Sequence, residues 1–141
     1  MKQILVFVLF AAVLCWTMFA PTYKHILIFR QAMLQKEVDY MLEIGANGSY
    51  GYVDAMAIAA SRQRLGQHGF QPDKLEYSVA ATNGSTATSA AAPVLRGAGI
   101  ELIISYPYDH LFHIDRLIGM TVPSDYARMA ASGLKMSEYV P

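Results

Sequence analysis

The sequence predicts an α+β protein in which a long apolar N-terminal helix, kinked near Pro21, leads into a small head of one short helix and an antiparallel sheet of about three to four strands. Three observations predict it. Residues Ile4 to Ala20 (ILVFVLFAAVLCWTMFA) form an uncharged run of 17 residues. Beyond Pro21 the apolar residues recur with helical spacing, and beyond Pro72 they alternate with polar ones at the period of a strand.

Length and composition bound these elements. The chain has 141 residues, of which 54% are hydrophobic and 16% charged, too apolar for an ordinary soluble domain. The formal net charge is zero, and Arg62, Arg64 and Lys74 stand among neutral residues, so no basic patch marks nucleic acid as a partner. Cys15 is the single cysteine and lies within the apolar run, which excludes an intrachain disulfide and a cysteine-based metal site.

An α-helix rising about 1.5 Å per residue needs roughly 20 residues to cross a bilayer core of about 30 Å. Ile4 to Ala20 is at the short end of that range, and the reading is an uncleaved membrane anchor. A signal peptide is the competing reading, with Lys2 as its basic end. It is disfavoured because cleavage after Ala20 would put Met18 where a small residue is needed and Pro21 just past the cut. Lys2 and the α-amine lie on one side of the run and Lys24, Arg30 and Lys36 on the other, so charge specifies orientation weakly; the N-terminus inside and the head outside is the preference.

After Pro21, Leu27, Leu34, Val38 and Met41 share one helical face with Ile26, Phe29, Met33 and Tyr40 beside it, while Arg30, Gln31, Gln35, Lys36, Glu37 and Asp39 lie elsewhere. Gly45, Asn47 and Gly48 supply stop signals. Glu37, Asp39 and Glu43 near the C-terminal end oppose the helix dipole, so the apolar stripe needs a packing partner. Proline either ends the first helix or kinks a single helix of about 65 Å, the reading preferred here. The chain then divides into a helical segment, residues 1–46, and an extracytoplasmic head, residues 47–141.

In the head, Tyr50 to Leu65 is alanine-rich with apolar Val53, Met56, Ala57, Ala60 and Leu65, consistent with a short helix closed by Gly66 and Gly69. Leu75, Tyr77 and Val79 alternate with Glu76 and Ser78 as in a half-buried strand, and Gly99 to Tyr108 is a second strand. Leu117 to Val122 is expected as a third and Ser132 to Val140 as a fourth, with Ser124 to Ala130 a helical turn or extended chain between them. Thr82 to Pro93, small and uncharged, is expected as an exposed connection.

Chemistry is sparse. His110, His113 and Asp115 would be metal ligands only if a helix brought both histidines to one face; two histidines at a solvated corner is the preferred alternative. Asn47 to Gly51 lacks the Gly-Lys-Ser/Thr of a phosphate loop and the first glycine of a nucleophile elbow. Glu101, between Ile100 and Leu102, belongs on a solvent face by alternation. No set of nucleophile, base and orienting group emerges, so neither an enzyme nor a cofactor is expected. Asn47 and Asn83 each head an Asn-Gly-Ser sequon, and Ser85 and Thr86 are candidate O-linked positions; turn chemistry at Asn-Gly is the simpler account.

An apolar N-terminal segment, Ala20-Pro21-Thr22-Tyr23 near its end, a continuing amphipathic helix and a small β-rich head resemble the plan of type IV pilins. Within that group, Gln35 to Ala46 followed by an alanine-rich helix, strands and the terminal Met136 to Pro141 is similar to tight-adherence (TadE-like) minor pilins and related small Gram-positive proteins. Two features depart from the pattern: no leader ending in glycine precedes the apolar run, and Ile4, Leu5 and Val6 stand where pilins carry an early glutamate. Leader cleavage and glutamate-guided docking are therefore not carried over.

The resemblance implies a filament subunit, a homopolymer whose apolar helix sits in the membrane before assembly and in the filament core afterwards. Leu5, Val6, Leu9, Phe10, Val13, Trp16, Phe19 and Pro21 would make the core contacts, and pilus or secretion machinery would be the assembly partner. The expected location is an extracellular filament fed by a membrane-anchored pool. The alternatives are a monomeric single-pass accessory protein of such a machine and a membrane-anchored metal-binding or enzymatic domain resting on His110 and His113.

Overall fold

A computed structural model of the chain describes residues 1–108, 111–117, 119–124 and 126–141, excepting the side chains of Ala20, Tyr23 and Ile114. The elements in chain order are α1 (Lys2–Gly45), α2 (Ala55–Gln67), a 3-10 turn (Pro72–Lys74), β1 (Glu76–Ala81), β2 (Gly99–Pro107), α3 (His113–Leu117) and β3 (Arg128–Met136). This is the predicted α+β layout. Two compact units divide the chain, Met1–Arg30 and Gln31–Pro141.

The first unit is helix throughout. Pro21 lies inside α1, so the chain continues as helix rather than ending there. Proline removes the N–H that would bond the Thr17 carbonyl. Thr17 and Thr22 return their hydroxyls to the helix itself, to the carbonyls of Leu14 and Met18, each at 2.9 Å. Both hydroxyls thus find their partners within the helix itself.

In the second unit the sheet order is β1-β2-β3 and both pairings are antiparallel. Ile100, Leu102, Ile104 and Tyr106 point to one face at period two, and all are buried. Leu34, Val38, Met41 and Leu42, the continuing stripe of α1, are buried as well. Gly133 of β3 shows how they meet the sheet: a Cβ there would lie 2.8 Å from Leu42 Cδ1 and 3.0 Å from Val38 Cγ1. The stripe thus packs on the strand because glycine leaves room for it. Phe70 and Tyr106 close one end of this core edge to face, with ring centroids 5.0 Å apart. Glu101 is exposed on the opposite face, as alternation predicted.

Three expectations are corrected. Helix α2 begins at Ala55 rather than Tyr50, because Asp54 is its N-cap and accepts the Ala57 N–H at 2.8 Å. Its buried residues are Ser61 and Leu65, whereas Met56 is 80% exposed. The Leu117 to Val122 segment is not a strand among the described residues: Leu117 closes α3 and the chain then turns. A single final strand, Arg128–Met136, replaces the expected one at Ser132 to Val140. It starts earlier because Met129 and Ala131 already alternate inward; at its end Ser137 still donates in register to the Ala98 carbonyl, and Glu138 then turns away to donate to the carbonyl of Ala46.

The Thr82 to Pro93 connection is exposed over most of its length but tied down at its buried residue. The Ala87 carbonyl accepts the Val53 N–H at 2.8 Å. Just beyond it, Val94 donates to the Gly51 carbonyl at 2.7 Å and accepts from Ser137 Oγ at 2.6 Å. Gly51 has φ of 74°, and a Cβ there would come within 2.9 Å of both Tyr139 and Val94. The chain terminus, the connection and the loop before α2 therefore meet at a position only glycine fits.

Candidate membrane and docking surfaces

The residues singled out for helix packing lie on a bare surface. Leu5, Leu9, Phe10 and Phe19 are each more than 60% exposed, with Val6, Val13 and Trp16 also exposed around the same helix. Pro21 is exposed. No single face is preferred, since apolar side chains surround the axis. Helix α1 is long and apolar enough to cross a membrane, the one such helix among the described residues. Past Lys24 and His25, both exposed, the helix turns apolar again: Ile26, Ile28 and Phe29 are 43%, 63% and 56% exposed.

In the second unit the last turns of α1 and helix α2 enclose a cleft of about 300 Å³, lined among others by Tyr40, Met41, Tyr50, Tyr52, Met56 and Arg64. Tyr50 and Tyr52 meet edge to face at 5.8 Å. Across the Tyr40–Arg64 wall lies a second hollow of about 250 Å³ bordered by Met33, Lys36, Gln67 and His68.

The wall is electrostatic. Arg64 Nε and Nη2 both donate to Glu37 Oε1, at 3.0 and 2.5 Å, and the guanidinium lies 4.8 Å from the Tyr40 ring centroid. Hydrogen bonding to Glu37 raises the Arg64 pKa further above its ordinary value, against the opposing effect of burial. Beneath it, Ser61 Oγ and the Tyr77 hydroxyl share a 2.8 Å hydrogen bond, and burial raises the Tyr77 pKa although that bond and the nearby arginines lower it. Glu37 on α1 and Arg64 on α2 thus tie the two helices together. Sequence reasoning missed it. Glu37 was visible as a carboxylate beside the apolar stripe, but no spacing rule pointed to an arginine 27 residues away.

The other candidate positions are scattered. Asn47 accepts the Ser49 and Tyr50 N–H groups at 2.9 and 3.2 Å, the turn chemistry expected of it, and is half-buried. Asn83 and Thr86 are exposed; Asn83 Oδ1 accepts the Ser85 N–H at 3.0 Å. Ser85 Oγ is shut away from solvent, so that hydroxyl is not presented for modification in the folded head. His113 and Asp115 belong to the short α3, and His110 lies outside the described residues. Among the described residues no three His, Cys, Asp or Glu side chains converge on a point where a metal would sit. Compared with family models, curated proteins and solved structures, the chain matches none.

Proposed function

We propose that this protein is a structural subunit of an extracellular pilus-like filament, inserted in the membrane before assembly and polymerising through its apolar N-terminal helix. The observation that supports this reading is the extent of bare apolar helix. Ile4 to Ala20 spans about 25 Å, most of a bilayer core, yet Ile26, Ile28 and Phe29 continue the exposed apolar surface beyond Lys24 and His25. A lone anchor leaves those residues at or beyond the bilayer surface, whereas a helix packed among copies of itself buries them at roughly 25 cal/mol per Å². Each helix would touch several neighbours, so modest contacts add up to a stable polymer. Pilus or secretion machinery is the assembly partner in this reading, and the role is structural rather than enzymatic.

A second reading, a monomeric single-pass accessory protein of such a machine, is favoured by the cleft between α1 and α2, which offers a binding surface on the head. Electron cryo-microscopy and intact-mass analysis of sheared cell-surface material separate the two. Filaments whose repeating density fits this chain are expected. Recovery of the mass from membranes alone, with no filament containing it, would overturn the polymer in favour of the accessory protein.

A further inference from the structure

The two edges of the sheet differ in what their main-chain groups meet. On the β3 side, pairing of β2 with β3 turns the main-chain groups of Ala130, Ser132 and Leu134 outward, and α1 reaches the carbonyls of the first two: Gln31 Nε2 donates to the Ala130 carbonyl at 2.7 Å and Gln35 Nε2 to the Ser132 carbonyl at 3.2 Å. Two side chains one helical turn apart thus cap alternate carbonyls of the edge, a device that blocks strand addition.

The β1 edge has no such cover. Thr82 N–H bonds the Gly99 carbonyl at 2.9 Å, so by alternation Ala80, Ser78 and Glu76 face β2 while Ala81, Val79 and Tyr77 turn their main chains outward. Ala81 is closed by its own turn, its N–H going to Ser85 and its carbonyl accepting from Gly84, both at 3.0 Å. The outward N–H and C=O groups of Tyr77 and Val79 make no hydrogen bond among the described residues.

We infer that β1 is an interface for a second copy of this chain, the two β1 strands pairing antiparallel about Ser78. In that register Tyr77 of each copy exchanges both main-chain bonds with Val79 of the other, so every open group on the edge is satisfied. Side chains and charges agree with it. Tyr77 stands opposite Val79, an aromatic against a β-branched residue; Glu76 stands opposite Ala80 and Lys74 opposite Thr82, so no like charges meet. Glu76 already has Arg128 Nη1 3.5 Å away within its own head. The contact is isologous and closes at two copies. It is therefore separate from helix-driven polymerisation and stands or falls independently of it.

Ser78 would meet its own counterpart across the twofold axis in a non-hydrogen-bonded pair, with Cα atoms about 4.5 Å apart, within disulfide range. The full chain carrying Cys15→Ser and Ser78→Cys, in dodecyl maltoside with copper-phenanthroline as oxidant, is expected to give a covalent dimer. Ser132→Cys in the same background, on the capped edge, is expected to stay monomeric. Adding Ala80→Glu, on the exposed face, places like charges opposite each other and should lower trapping several-fold. Val79→Pro deletes an outward N–H that the β1–β2 ladder does not use and should abolish trapping. A monomeric Ser78→Cys chain, equal trapping through Ser132→Cys, or trapping indifferent to Ala80→Glu would overturn the proposal.

Discussion

At the scale of single residues, Gly133 and Tyr77 carry consequences that can be measured. Gly133 admits the Val38 and Leu42 side chains against β3, and a methyl group there would overlap Leu42 Cδ1 at 2.8 Å. Gly133→Ala is expected to destabilise the head by about 1–3 kcal/mol, the usual cost of overpacking, read as a lower denaturation midpoint at unchanged slope. Tyr77 responds to pH instead. Burial raises its pKa above the ordinary 10.0, so the folded head holds the phenol proton more tightly than the unfolded chain. The associated stability is complete below about pH 10 and is lost as pH rises through the folded-state pKa. A melting series above pH 9 is expected to show this decline, smaller in Tyr77→Phe.

Single elements depend on contacts beyond their own propensity. Helix α2 has no acidic residue in its first turn, so Asp54 at the N-cap supplies its favourable charge as well as its cap bond to Ala57. Asp54→Ala should cost about 1 kcal/mol, with Asp54→Asn recovering most of it, measured by thermal unfolding followed by circular dichroism. The C-terminal part of α1 ends with no basic residue in its last turn. Its stability comes instead from burial of Leu34, Val38, Met41 and Leu42 and from cross-links to other elements, Glu37 to Arg64 and Glu43 to Lys135. The second pair is exposed at Glu43 and adds little; the first is shielded on the Glu37 side, where the carboxylate is 11% exposed, and counts for more.

For the whole molecule, the informative contrast is between the unit Gln31–Pro141, which builds an apolar core, and the helical unit Met1–Arg30, whose apolar side chains are almost all exposed. A charge placed on that helix tests what covers it. Leu9→Asp puts a carboxylate inside the apolar run, at a cost approaching that of a helix-centre charge in a bilayer, about 2.5–3.5 kcal/mol. The head has its own core in Leu102, Ile104, Tyr106 and Leu65, so it should still fold. Filaments should be absent from the sheared surface fraction of cells making this variant, and filaments assembled from it would refute packing through the helix.

Much of this architecture follows from local pattern. The uncharged run, the striped continuation and the alternation of Ile100, Leu102, Ile104 and Tyr106 each express one element's period, which neighbouring residues are enough to reveal. By itself the sequence thus determined a membrane-length apolar helix, a short second helix and an antiparallel sheet; that the helix runs on past Pro21 was one of two readings until the structure decided it. It did not determine the start of α2, because alanine and tyrosine fit either side of Asp54, nor the last strand, because Ala130, Ala131, Ser132 and Gly133 have too little hydrophobic contrast to mark a period. The Glu37–Arg64 wall, the glycine seat beneath Leu42 and the difference between the capped β3 edge and the open β1 edge were decided by tertiary structure alone. Each depends on residues far apart in the chain coming within a few ångströms, and sheet register, which no local spacing encodes, sets which main-chain groups face outward.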